Sequence, residues 1–230
     1  MSRFHFLGRL LVTIVLFVAP AIAREAPKPI PAPSVDASRQ GGDSQTAVLA
    51  GGCYWGMQGV FEHVKGVKQV VAGFSGHMSS SAEDQLMHRS FTATESIRIT
   101  YDPGQITYGQ ILQIYFSVAH DPTEVDRQGP DVGPQYSSAI YYSDDNQQKI
   151  ANAYVAQLQS AGVFAAPIAT RVEPLVRFHA VADSEQDYIL KHPTSSYVLD
   201  EDMPMLAALK RIYPALYLDS PVTLSAASRS

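Results

Sequence analysis

The chain has 230 residues, 46% hydrophobic and 17% charged, a globular composition that excludes a chain disordered throughout. Seventeen Lys and Arg stand against 22 Asp and Glu, and no long basic run accompanies them, so nucleic acid is not a partner this sequence points to. A single Cys excludes an internal disulfide, and the 15 Gly and 15 Pro follow no collagen-like period.

Residues 1–23 read as a secretory signal peptide. Arg3 and Arg9 give a positive start, Leu10 to Ala19 is an almost unbroken apolar run, and Ala21-Ile22-Ala23 follows Pro20 as a small-residue cleavage signature. The alternative, an uncleaved anchor, needs about 20 apolar residues, and this run falls short. Cleavage after Ala23 predicts an exported protein, periplasmic or secreted. Residues 24–45 carry Pro27, Pro29, Pro31 and Pro33 and no apolar periodicity, and they predict an extended, semi-stiff linker. A single catalytic domain is expected over 46–218, then a small, polar, fraying tail over 219–230.

Ala47 to Ala50 predicts a short strand, broken by Gly51-Gly52. Met57, Val60, Phe61 and Val64 then fall on one helix face. Val67 to Phe74 and Glu95 to Tyr101 predict strands. Tyr108 to Ala119 predicts a helix, entered through a capping box of Thr107 and Gln110. A strand at Ser138–Tyr142 precedes a helix at Asp144–Ala161, which Gly162 ends. Thr170 to Phe178 predicts a strand bent at Pro174, and Asp183–Lys191 and Met205–Ile212 predict short helices. Interleaved strands and helices in one domain predict an α/β (α+β) two-layer sandwich, with the strand pairing left open.

Gly51-Gly52-Cys53-Tyr54-Trp55-Gly56 is the most informative segment. Cys53 falls in the first turn of a helix, where unpaired N–H groups favour negative charge and lower a thiol pKa. The alternative is a buried, inert Cys. Tyr54 and Trp55 cannot both enter the core beside a helix start, so at least one ring lines a cleft. Glu95 shares a strand face with Ile97, Ile99 and Tyr101; on that apolar side its pKa should rise, making a proton donor near neutral pH. The alternative is a strand-end Glu reaching solvent. The loop Arg127 to Tyr136 holds two Gly and two Pro, and Asp131 and Tyr136 could supply a carboxylate and a phenol. Their ordinary alternatives are turn chemistry and a core ring. Seven scattered His and no Cys/His spacing give no metal site, and neither a P-loop nor a dinucleotide-binding Gly pattern appears.

Taken together, Gly51-Gly52-Cys53-Tyr54-Trp55-Gly56 resembles the G-C-[FY]-W-G signature of the A-type peptide methionine sulfoxide reductases. The resemblance continues through Gly66-Val67, Gly73-Phe74-Ser75-Gly76, Glu95 to Pro103, His120-Asp121-Pro122, Arg127 to Tyr142 and Gln186-Asp187-Tyr188. It implies a mixed sheet with a ferredoxin-like core. It implies thiol-dependent reduction of methionine S-sulfoxide, free or in oxidised proteins. Cys53 would be the nucleophile and Glu95 the acid. Tyr54 and Trp55 would hold the substrate methyl, with Asp131 and Tyr136 completing the polar side. No cofactor or metal is implied. The chain has no second Cys to resolve the Cys53 sulfenic acid, so an outside thiol must, a thioredoxin-like protein or a small thiol such as dithiothreitol. A monomer is expected. The chain departs from the family pattern at Glu83, Ala93, His179, Ala182 and Glu185. Those departures motivate a rival reading as a weak or inactive relative that binds methionine sulfoxide. A Cys–His hydrolase is a third reading and needs a His against Cys53.

Overall fold

The computed structural model describes residues 25–39, 41–77 and 92–224. The expected signal peptide, Glu83 and the last six residues lie outside them.

Among the described residues one sheet has six strands: β1 (Gln45–Ala50), β2 (Val67–His77), β3 (Thr92–Tyr101), β6 (Ala139–Tyr142), β7 (Arg171–Pro174) and β8 (Phe178–Ala180). Their order is β7-β6-β1-β3-β2-β8. Only β6 and β7 pair in parallel, so the sheet is mixed. Two-residue strands β4 (Arg127–Gln128) and β5 (Asp131–Val132) form a separate hairpin in the loop before β6.

Helix α1 (Tyr54–Glu62) packs Met57, Val60 and Phe61 into the main core, and Val64 follows them in. Helix α2 (Tyr108–Ile114) begins at the expected capping box: Thr107 and Gln110 each bond the other's backbone. It continues as a π-turn over Tyr115–Ala119, so the predicted helical length is right and its pitch is not. Helix α3 (Asp145–Ser160) is capped by the Asp144 side chain and ends before Gly162, whose φ is 58°.

Two expectations about the elements need correction. The segment Thr170 to Phe178 is not one bent strand. Pro174 has no N–H to continue a ladder, and the chain parts into β7 on one sheet edge and β8 on the other. Between them Leu175, with Phe178, packs on Val48, Ala50, Ala139 and Tyr141, covering the sheet's second face. This is why Thr94 and Ser96 on β3 are buried although they point away from the main core. The predicted helix at Asp183–Lys191 shrinks to α4 (Tyr188–Lys191), because Asp187 adopts a left-handed conformation at φ 51°. Helix α5 (Met203–Ile212) follows, entered through a π-turn at Val198–Asp202.

The Pro-rich linker is extended but does not hang free. Ile30 is buried in the main core. The Tyr154 hydroxyl donates to Pro31 O at 2.7 Å, and Gln157 Nε2 to Ala32 O at 2.8 Å. Asp36 accepts from the Gly109 N–H at 2.7 Å and the Thr107 hydroxyl at 2.5 Å. Prolines cannot supply ladder donors, but the segment's carbonyls remain strong acceptors: Tyr154 of α3 uses Pro31 O and Gln113 of α2 uses Ile30 O. The tail is likewise held as far as Leu224: Val222 N–H donates to Glu62 O at 2.9 Å, and Lys210 pairs with Asp219 at 2.8 Å.

Candidate active site

Strand β1 ends at Ala50, beside Ser96 of β3, and β2 sets Phe74 opposite Glu95. The β1-to-α1 junction therefore lies against Glu95. Gly52 turns there at φ 96°, and a Cβ would meet Gln128 Cγ at 2.5 Å, so only glycine fits. Gln128 is itself fixed, accepting from Asp121 N–H at 2.9 Å and donating to Asp121 O at 3.0 Å. The Arg127–Tyr136 loop is thus tied to the junction.

Cys53 is the N-cap of α1 and makes no side-chain cap bond. The Tyr54 N–H donates instead to Glu95 Oε2 at 3.1 Å. Burial raises the Glu95 carboxyl to about 7, with Asp131 and Glu185 adding to the rise and the Tyr54 N–H opposing it. The Glu95 carboxyl, on the apolar strand face, thus keeps its proton to higher pH than a free Glu.

The thiol is the opposite of what its position suggested. Burial pushes it well above its ordinary value, Glu95 and Asp202 push it further, and the Trp55 N–H and the Tyr197 hydroxyl pull it back. A helix start contributes about 0.3–1 kcal/mol, under one pKa unit at 1.36 kcal/mol each. Desolvation beside two carboxyls outweighs it. The resting group is a thiol. The buried His120 ring bonds Tyr115 O and the Thr170 hydroxyl.

Tyr54 is nearly covered and meets Phe74 edge-on at 5.9 Å. Trp55 is half-buried, stacked on Tyr188 at 3.6 Å and edge-on to Tyr197 at 5.8 Å. Of the two neighbouring rings, Trp55 is the one that reaches the surface. The Trp55 Nε1–H donates to Glu185 at 3.2 Å, and the Tyr54 hydroxyl approaches the same oxygen at 3.5 Å. Glu185 is held there by its neighbour. Gln186 is buried and accepts from Gln58 at 3.0 Å and Ala72 N–H at 2.8 Å, pinning the turn to α1 and β2.

Asp131, on β5, accepts from the Tyr197 hydroxyl and lines one cleft with Cys53, Gln128, Tyr197, Glu201 and Asp202. Tyr136 ends a 3-10 turn at Pro134–Tyr136; its hydroxyl pKa is raised by burial and by Glu95, Asp131 and Cys53. All six residues singled out in the sequence thus converge. Glu185 was singled out only as a departure, and Tyr188 only as part of a motif. Tyr197 and Asp202 carried no local signal.

The arrangement gathers a thiol, a carboxyl with a raised pKa and aromatic rings around the start of α1. The family model for peptide methionine sulfoxide reductase matches residues 45–213. The chain belongs to this family. It is 46% identical over 186 residues to peptide methionine sulfoxide reductase MsrA 2 of Mesorhizobium japonicum, covering 80% of this chain and 95% of that protein. It is 40% identical over 173 residues to the MsrA of Chromobacterium violaceum, covering 75% and 98%. Among solved structures, methionine sulfoxide reductase A of Corynebacterium diphtheriae superposes with TM-score 0.54 at 30% identity, over 74% of this chain and 85% of that one. Reduced Mxr1 of Saccharomyces cerevisiae, at 24% identity and TM-score 0.56 over 66% and 88%, shares the fold. The reductase family accounts for the mixed α/β fold and for the order of the motifs from Cys53 to Tyr188.

Proposed function

We propose that the chain reduces methionine S-sulfoxide, free or in oxidised proteins, through a sulfenic acid on Cys53. The observation that carries the mechanism is the Tyr54 N–H bond to Glu95, which fixes a carboxyl that is half protonated near neutral pH at the start of the Cys53 helix. Glu95 gives its proton to the sulfoxide oxygen, which makes the sulfur electrophilic. Cys53 attacks that sulfur, and its thiol proton returns to the carboxylate. Oxygen passes to Cys53 as the sulfenic acid, and methionine leaves as the thioether. The raised thiol suits this order: the nucleophile is released only when substrate brings an acceptor for the proton.

Trp55, held by Tyr188 and Glu185, offers its ring to the substrate methyl, with Tyr54 behind it. Asp131 and Tyr136 stand on the polar side, where the Tyr136 hydroxyl can donate to the sulfoxide oxygen. The chain has one Cys, so the sulfenic acid is reduced by an external thiol. One thiol forms a mixed disulfide and expels water, and a second restores Cys53. A thioredoxin-like protein is the proposed physiological reductant. The apolar run and cleavage signature before Arg24 support export. Among the described residues no helix is long and apolar enough to cross a membrane.

The test is turnover of each epimer of a blocked methionine sulfoxide with excess dithiothreitol. Many methionines per chain from the S epimer, and none from the R epimer, are expected. Binding without turnover would support the inactive-relative reading instead.

A further inference from the structure

Asp202 lines the same cleft as Cys53. It is about 1% exposed, and its Oδ2 finds no hydrogen-bond partner among the described residues. It stands at the N-cap of α5 yet makes no side-chain cap bond. A buried carboxyl oxygen left unpaired costs about 1–3 kcal/mol, and such groups call for an explanation. The position is also built with little slack. A Cβ on Gly56 would meet Asp202 Oδ1 at 2.4 Å and Met205 Cε at 2.2 Å, so the absence of a side chain on α1 lets the carboxyl sit beside the Cys53 turn. Burial, then Glu201 and Asp131, raises this carboxyl to about 7, so it carries a proton in about half the molecules at neutral pH.

Glu95 already has a task and a direction. It is bonded to the α1 backbone on the β3 side, where the sulfoxide is protonated. The second half of the cycle presents a different need. An external thiolate attacks the Cys53 sulfur, an S–S bond forms, and the S–O bond breaks. The oxygen must leave as water, which requires one proton. Asp202 lines the small pocket beside Cys53.

Resting on the reductase reading above, we propose that Asp202 is the general acid for the reductive half of the cycle, giving its proton to the sulfenic oxygen of Cys53 as the external thiol attacks. The balance is thiolate plus Cys53–S–OH plus the Asp202 proton, giving the mixed disulfide, water and the Asp202 carboxylate. Solvent then returns the proton.

The experiment separates the two halves on the full chain. One equivalent of S-sulfoxide is added without reductant, and methionine release is timed by rapid quench. Dithiothreitol is then mixed in, and loss of the sulfenic acid is followed by trapping with dimedone. D202N removes a charge that raises the Cys53 thiol, so it is expected to release methionine no more slowly than the unsubstituted chain, and an unchanged circular dichroism spectrum shows that it is folded. Its sulfenic acid should persist about 10²-fold longer, the scale of general acid catalysis. Imidazolium buffer should shorten that lifetime in D202N and leave the unsubstituted chain unchanged, and D202E should recover part of the rate. Sulfenic acid loss within threefold of the unsubstituted rate, or equal slowing of both phases, overturns the proposal. Failure of the reductase reading looks different: the unsubstituted chain would release no methionine in the first phase, and both readings would fall together.

Discussion

The two walls of the cleft were built in different ways. One is the β1–α1 junction with β3, carrying Cys53, Tyr54, Trp55 and Glu95 within two short segments. The other comes from the C-terminal part of the chain, where Glu185, Tyr188, Tyr197 and Asp202 arrive on turns and short helices. On the first wall the groups are set by local geometry: a strand, a glycine turn, a helix start. On the second they are set by docking, through Gln186 against α1 and β2 and through α5 against Gly56. The comparison teaches that the first wall supplies the groups that meet the sulfoxide, and that the second tunes them and brings the Asp202 carboxyl beside Cys53. Burial, Glu95 and then Asp202 raise the Cys53 thiol, and burial, Asp131 and then Glu185 raise Glu95.

The largest effect should come from the first wall. E95Q keeps the shape and removes the proton, so kcat for S-sulfoxide should fall by about 10²–10⁴-fold. The direction of the pH dependence follows from the raised carboxyl. Glu95 acts in its protonated form, so kcat/KM should decline as pH rises through about 7, and that decline should be absent from the residual activity of E95Q.

The second wall should give smaller effects of a different kind. E185Q keeps an acceptor for the Trp55 indole but removes a charge that raises Glu95. Its alkaline decline in kcat/KM should move to lower pH with KM little changed. E185A also loses the acceptor, and KM should rise severalfold. Equal behaviour of the two variants would mean that Glu185 does not act through charge.

The sequence disclosed the first wall because its physics is local. Strand alternation put Glu95 on the apolar face, and the raised acid followed. The sign of the Cys53 shift was not legible, since a helix start can be read from a pattern and a desolvating lid cannot. Tyr197 and Asp202 lie about a hundred residues or more from Glu95 in the chain, with no motif to tie them to Cys53. The docking of the Pro-rich segment over residues 25–39 was hidden for a related reason. Its prolines signalled extension, but what holds it is the Tyr154 and Gln157 side chains on a distant helix. The split of β7 from β8 needed the edge positions that only the assembled sheet defines.

The smallest effect concerns stability and lies away from the cleft. Glu62 is buried, its carboxyl is raised to about 9 by burial and by Asp187, and its Oε1 has no partner among the described residues. The folded chain therefore holds a proton that the unfolded chain loses above its ordinary value of 4.5. Stability should fall as pH rises between those values, by up to about 1.4 kcal/mol per unit from this group. Glu95 and Asp202 act in the same sense only to about 7. Urea titrations at several pH values above about 7 should show the slope in the unsubstituted chain and a flatter one in E62Q.

The central claim is that oxygen moves from the sulfoxide to Cys53. The most direct measurement is a single addition of excess S-sulfoxide to the reduced chain with no thiol present, followed by methionine quantitation and mass analysis of the Cys53 peptide. The account predicts one methionine per chain, the mass of one oxygen added at Cys53, and neither in C53S. Methionine formed equally in C53S, or none formed with Cys53 left as the thiol, would contradict it.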